Sequence, residues 1–261
     1  MAKQKLSKEK PEKNLTVNIK KSTGRGSSGR ITIRHKGGGV KKRYRLIDFK
    51  RQERLDQPAL IVRFEYDPYR TAFIALVEYP DKTRSYILAP HGVKEGDTLI
   101  CSEKAEIKSG NRMRIKHVPI GTSVYNIQIV PNQRSGFARS AGAWAKVLAN
   151  EGRYVHLEMP SKEIRKVHHD CFATVGSVSN PEHRYKKIKK AGVSRRKNRR
   201  PVVRGSAMNP VDHPHGGGEG RAPIGLKYPK TPWGKIARGV KTRRRKSTEK
   251  MIIKRRKKKK R

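Results

Sequence analysis

Apolar and polar positions alternate through the middle of the chain. In residues 60–67, Leu-Ile-Val-Arg-Phe-Glu-Tyr-Asp, one face reads Leu60, Val62, Phe64 and Tyr66 and the other Ile61, Arg63, Glu65 and Asp67. This is the period-two pattern of a half-buried strand, with the first set facing inward. Asp67-Pro68-Tyr69-Arg70 then turns the chain into 71–79, and Pro80-Asp81-Lys82 turns it again before 85–88. With 44–49 before and 97–101 after, about five short strands result, and a small antiparallel barrel closes such a set.

A second series starts after Pro119. Residues 123–130 are followed by 143–149, whose alanines also suit a short helix. Asn150-Glu-Gly-Arg153 reads as a hairpin turn into 154–159, which favours a strand. Residues 164–167 and 172–175 complete a second sheet. The pattern therefore predicts a mainly β protein of two small barrels, with strand order left open.

Composition adds what the periodicity cannot. Only 33% of the 261 residues are hydrophobic, clustered between Leu60 and Val178, which suits two small cores better than one large one. Lys and Arg number 65 against 21 Asp and Glu, a net charge of +44. Residues 1–55 hold 18 basic and 4 acidic side chains, 56–185 hold 18 and 14, and 195–261 hold 25 and 3. A nearly neutral middle lies between two cationic arms, a distribution that phosphate neutralises with release of counterions. A merely solvated charge run is the bland alternative. Against it, the C-terminal arm interleaves Met208, Tyr228, Trp233, Gly and Pro with its cations.

No apolar stretch approaches the roughly 20 residues of a membrane span, and no membrane partner is expected. The first residues, Met-Ala-Lys-Gln-Lys-Leu, lack the apolar segment of a secretory signal, and Glu9, Pro11 and Glu12 do not suit a transit peptide. The chain is expected to be made where it works. Cys101 and Cys171 lack metal-ligand spacing and read as small buried residues in a reducing interior.

The densest chemistry lies in 209–220, Asn-Pro-Val-Asp-His-Pro-His-Gly-Gly-Gly-Glu-Gly. Pro210 and Pro214 predict an extended, stiff run. Gly216, Gly217 and Gly218 then permit positive φ and close approach of phosphates and riboses to the main chain.

Residues 29–39 (Gly-Arg-Ile-Thr-Ile-Arg-His-Lys-Gly-Gly-Gly), 66–68, 86–90, 138–142 and above all 208–221 resemble the family of the universal large-subunit ribosomal protein conventionally numbered two, in its bacterial form. The resemblance runs from about residue 22 to 257. It implies an OB-fold barrel at 36–117 followed by an SH3-like barrel at 118–194, with basic extensions at 1–35 and 195–261. It also implies binding to large-subunit ribosomal RNA, neighbouring ribosomal proteins and an intersubunit contact with the small subunit, and support for assembly and the peptidyl transferase region. Arg221-Ala-Pro-Ile-Gly225 and Thr231-Pro-Trp-Gly234 are similar to cyanobacterial and plastid versions, so a plastid stroma is expected, with a bacterial cytoplasm as the alternative.

The resemblance and the charge together assign to RNA the positions Arg30, Arg34, His35, Lys36, Gly37, Gly38, Gly39, Lys41, Lys42, Arg43, Arg139, Arg195, Arg196, Arg199, Arg200 and Arg204. In the later motif and beyond it they assign Asn209, Asp212, His213, His215, Gly216, Gly217, Gly218, Arg221, Trp233, Lys241, Arg243 and Arg244. One departure falls at 194–201, where many family members carry a Trp among the basic residues. Guanidinium stacking by Arg196 is the expected substitute.

Asp212, His213, His215 and Glu219 have the side-chain types of a metal hydrolase. Nothing identifiable with them supplies a nucleophile or an oxyanion hole, and an extended run gives them no rigid scaffold, so no catalytic residue is assigned. The resemblance brings a proposed link between His213 and peptide-bond formation, for which a supporting role is the expectation. A DNA-packaging protein, which charge alone allows, predicts low-complexity arms without two β cores. Trp144 is expected in the core and Trp233 on RNA. His168 and His169 adjoin Asp170, but alternation along a strand is expected to separate them. Gly37 to Gly39 lack the Gly-Lys-Ser/Thr ending of a nucleotide loop, leaving phosphate contact with RNA as their reading. No intrinsic cofactor or metal is expected, Mg2+ entering only through bound RNA.

Overall fold

The computed structural model describes residues 6–256, so the ends of both basic arms, 1–5 and 257–261, lie outside the described residues. Two compact units emerge, one from Met1–Lys20, Lys42–Lys187 and Thr248–Arg261, the other from Lys21–Lys41 and Ile188–Ser247.

In the first unit, β1 (Thr16–Asn18) pairs antiparallel with β2 (Arg43–Arg45). Then β3 (Ala59–Glu65), β4 (Ile74–Glu78), β5 (Arg84–Leu88) and β6 (Thr98–Leu99) form an antiparallel sheet in the order β5-β4-β3-β6. A parallel bridge between Ile47 and Tyr86 extends its edge. Ala59, Ile61, Phe64, Ala75, Val77, Ile87 and Leu99 form the core on one face.

The expected inward face of β3 is corrected at its start. Leu60 is 43% exposed whereas Ile61 is 1% exposed. The pairing register shifts between Ile61 and Arg63, so a bulge at Val62 changes the phase and returns Phe64 to the core. Beyond it two carboxylates are buried, Glu65 at the end of β3 and Asp67 past it, while Tyr66, also expected inward, is 61% exposed. Glu65 receives the Tyr86 hydroxyl at 3.0 Å and Arg63 Nε at 2.9 Å, and Asp67 pairs with Arg70 at 2.7 Å.

The second sheet is built from β7 (Arg112–Arg114), β8 (Ser123–Tyr125), β11 (Ala145–Glu151), β12 (Tyr154–Glu158), β13 (Ile164–His168), β14 (Phe172–Val175) and β15 (Ile252–Lys254), with β9 (Ile127–Gln128) and β10 (Ser135–Phe137) as a short separate pair. Its order is β15-β13-β12-β11-β8-β14-β7. The strand reading of 143–149 is correct, displaced to Ala145–Glu151. Asn126, at φ 50°, breaks the expected 123–130 strand in two. Met113, Ile115, Val124, Ile127, Val147, Val155, Leu157 and Val167 fill the core together with Cys171. Trp144 is not among them. It is 46% exposed, because Ala145 takes the first inward position of β11.

A buried guanidinium ties the second sheet to the segment that follows β2. Arg112 donates to Lys50 O at 2.9 Å, Asn126 O at 2.8 Å, Ser135 Oγ at 3.0 Å and Thr174 Oγ1 at 3.1 Å. Burial lowers its pKa to about 10. Neutral oxygens thus take the place of a carboxylate, as a buried cation requires. Both cysteines are buried free thiols.

The second unit has little regular structure, only the short helix α1 (Ala191–Arg196) and a 3-10 turn at Gly205–Ala207. The C-terminal arm is not a simple tail, since β15 adds to the free edge of β13.

Candidate nucleic-acid interface

Within the second unit, residues 35–40 run beside 196–201. Gly37 N–H donates to Asn198 O at 3.4 Å, Val40 N–H to Arg196 O at 3.2 Å and Arg200 N–H to His35 O at 3.1 Å. His35 Nδ1 lies 3.0 Å from Pro201 O, and Lys36 and Arg199 form a bridge pair. The ribbon explains the last glycine of the first triplet. A Cβ on Gly39, which sits at φ 82°, would lie 3.1 Å from both Arg196 O and Asn198 N. The close approach visible here is protein to protein. Arg30, Arg34, Lys36, Arg196, Arg199 and Arg200 are exposed along these segments and Arg195 is half-buried.

The His-rich loop is not extended. Asp212 and His213 N–H both donate to Asn209 O, at 3.0 and 3.3 Å, and Gly216 N–H donates to His213 O at 2.8 Å. Two successive turns result, because each proline fixes φ at a position where a turn accepts it. His213 is buried. Its Nδ1 accepts the His215 N–H at 3.0 Å, and His215 Nε2 accepts the Lys230 N–H at 2.9 Å. These acceptors set the tautomers, with the neutral-ring proton on Nε2 of His213 and on Nδ1 of His215. The rings lie 4.7 Å apart, tilted by 57°. The expectation that they lack a rigid scaffold is therefore corrected.

The second glycine triplet is likewise required by the loop itself. A Cβ on Gly216 would come 2.2 Å from Asn209 O, and one on Gly217, at φ 89°, would come 2.9 Å from Pro210 Cγ. Glycine 205 escaped the sequence reading. Any Cβ there would strike the His213 ring at 2.4 Å, and only the three-dimensional contact marks it.

Asn209, Asp212, Gly218 and Arg221 in this loop are exposed, as are Arg204, Lys241 and Arg244 outside it, and Arg243 is half-buried. Trp233 sits in a turn closed by Gly234 N–H to Thr231 O at 2.9 Å, 72% exposed, with the Arg34 guanidinium 5.5 Å from its ring. Two predicted positions from opposite ends of the sequence therefore meet.

Lys41, the last residue of 21–41, is exposed, as is Arg43 in the first unit, where Lys42 donates to Pro68 O at 3.1 Å. Arg139 belongs to a cluster missed in the sequence. Its guanidinium lies 4.9 Å from the Phe49 ring, Arg134 lies 4.5 Å and Arg70 5.6 Å from the same ring. Burial first, then Arg134 and Arg70, lower the Arg139 pKa. Gathered like charges of this kind favour an anion between them.

Asp212, His213, His215 and Glu219 do not bring three ligand atoms together. Among the described residues, the group of three that does so is His168, His169 and Asp170. Strand alternation was the reason for separating these three, and it fails because β13 ends at His168 and the next two residues form a turn.

The geometry defines a basic, mainly β protein whose cationic, glycine-rich loops are held in fixed shapes. The family model described as "Ribosomal Proteins L2, RNA binding N-terminal domain" matches residues 12–101, and "Ribosomal Proteins L2, C-terminal domain" matches 108–234. "Large ribosomal subunit protein uL2" of Phenylobacterium zucineum is 51% identical over 245 residues, covering 94% of this chain and 87% of that protein. The protein of the same name from Rhodospirillum centenum is 50% identical over 242 residues, 93% and 88% of the two chains. That of Mycoplasmoides gallisepticum is 51% identical over 239 residues, 90% and 84% of the two. The chain belongs to the ribosomal protein L2 family, bacterial type. Its first barrel is accordingly an OB-fold and its second SH3-like.

Proposed function

We propose that this protein is a structural constituent of the large ribosomal subunit that binds 23S-type ribosomal RNA, supports assembly and subunit association, and braces the peptidyl transferase region. The observation that carries the reading is the match of residues 12–101 to an RNA-binding domain within a family match across both barrels. The proposed organisation is a basic extension at 1–35, the OB-fold at 36–117, the SH3-like barrel at 118–194 and a basic extension at 195–261. Its RNA-facing groups are the exposed cations of the 35–40 and 196–201 ribbon, the loop at 209–221, Trp233 and Arg139. Neighbouring ribosomal proteins and the small subunit are its further partners, and Mg2+ enters through the RNA. His213 fixes the path of the loop, and peptide-bond chemistry stays with RNA. A plastid stroma is the proposed compartment, on the likeness of 221–225 and 231–234. The bacterial sources of the relatives above support a bacterial cytoplasm as the second reading.

The protein is expected to sediment with the large subunit through a salt wash that strips peripheral basic proteins. Binding to its RNA should weaken steeply with salt, and each neutralised contact residue should lower the log–log slope by about one. Release in the wash, or a slope unchanged when Arg196, Arg199 and Arg200 become Gln, would overturn the reading.

A further inference from the structure

We propose that His168, His169 and Asp170 form a binding site for a single divalent transition ion of the zinc class. The three residues are consecutive, and the turn that carries them is pinned by its backbone. His169 N–H donates to Arg153 O at 3.0 Å, Cys171 N–H to His168 O at 3.0 Å, and Lys116 N–H to His169 O at 3.2 Å. His168 is also held in the ladder opposite Tyr154, whose ring meets the imidazole edge-on at 6.0 Å.

Asp170 Oδ2 lies 3.2 Å from His169 Nε2 and 3.6 Å from His168 Nδ1. A tetrahedral ion with ligand bonds of about 2.0–2.1 Å separates its ligands by about 3.3–3.4 Å. The two carboxylate–imidazole separations bracket that value, and all three ligand atoms lie within 4.8 Å of one another, so side-chain rotation alone has to close the set. Two imidazoles and a single carboxylate oxygen suit Zn2+, Co2+, Ni2+ or Cu2+ far better than Mg2+ or Ca2+, which take oxygen shells. Side-chain exposure of 34%, 30% and 31% leaves the remaining position to water.

Asp170 has a second oxygen, and that one is engaged. Arg114 holds Oδ1 at 2.9 Å and Lys116 at 3.6 Å. These cations orient the carboxylate as outer-shell partners do, but they also repel an ion. Among the described residues, the hydrogen-bond competitor for His168 Nδ1 is the Asp170 amide at 3.3 Å, a long contact readily exchanged for a metal bond.

The full-length chain, freed of RNA, is titrated with Zn2+ by calorimetry and with Co2+ by visible absorption. One equivalent should bind tightly, with the Co2+ spectrum of a tetrahedral site. His169→Ala and Asp170→Asn should each weaken it at least about tenfold, with thermal unfolding of the metal-free protein checking that both remain folded. His183→Gln should leave it unchanged. Lys116→Gln should tighten it about threefold or more by removing a repelling charge, an effect that general surface adsorption would not give. No stoichiometric binding, or binding indifferent to both His169→Ala and Asp170→Asn, overturns the proposal.

Discussion

Gly205 stands so close to the His213 imidazole that a Cβ would come within 2.4 Å of Nδ1, the atom that accepts the His215 amide. The ring is therefore gripped on its face by a glycine and at its edge by a backbone donor. From His215 the hydrogen bonding passes on to the Lys230 amide, linking the His-rich loop to the hairpin that bears Trp233.

Gly205→Ala should dislodge the ring and loosen this chain of contacts. Amide exchange at His215 and Lys230 is expected to quicken by more than about tenfold, with the two barrels unaffected. His213→Asn places an acceptor near the former Nδ1 position and should preserve slow exchange at His215 better than His213→Gln, whose oxygen reaches further out. Equal protection in Gly205→Ala and the parent protein would refute the grip. Ribosomal particles carrying His213→Asn should retain peptidyl transfer within about tenfold, whereas loss of a general base costs roughly 10² to 10⁴.

Alkaline pH should destabilise the first barrel through Tyr86. Burial foremost, then the neighbouring Glu65, raises its pKa to about 12, and Tyr125 is pushed up by burial as well. An unfolded tyrosine releases its proton near 10, so between about pH 10 and 12 the folded state holds a proton that the unfolded state has lost. The Tyr86 contribution is thus fully present below pH 10 and declines as pH rises towards 12. Tyr86→Phe should flatten that decline in thermal unfolding midpoints. It should also cost about 1–3 kcal/mol at neutral pH, because the buried Glu65 carboxylate loses a donor and the Glu12 amide loses its acceptor. An identical alkaline profile in the variant would remove Tyr86 from the account.

The two thiols should be inert in the native protein. Burial pushes Cys171 up to about 12 and raises Cys101 in the same direction. At pH 8 the Cys171 thiolate fraction is then about a thousandfold below that of a free cysteine. An aromatic disulfide reagent should register no rapid thiol until denaturant is added, then two. Rapid native labelling of Cys171 would show that its surroundings open readily.

Much of the β architecture was legible because hairpin turns and period-two runs are local signals. Residues 74–78, 84–88, 154–158, 164–168 and 172–175 fall where alternation and turn residues put them. The phase of β3 was not legible, since a single extra residue at Val62 inverts a face without altering composition. Trp144 misled for a related reason, as an apolar run does not say which of its members faces outward. In the His-rich loop the motif drew attention to the right residues, but its prolines were compatible with either extension or tight turns. The choice rests on where Asn209 O finds its donors. Arg70 and Arg134 join Arg139 around Phe49 across 90 residues of sequence, a pairing no local pattern reports.

The pairing of β15 with β13 changes the topology of the basic regions. Residues 188–247 leave the first unit after Lys187 and return to it at Thr248, and 21–41 leave after Lys20 and return at Lys42, just beyond the β1 and β2 ladder. Both cationic runs are thus closed loops fastened at their bases, not free ends. Closure limits the volume either run can explore before it meets a polyanion, so part of the ordering entropy is already spent on folding. A single cut within either loop would leave both new ends tied to the β framework, and release of a peptide would require a second.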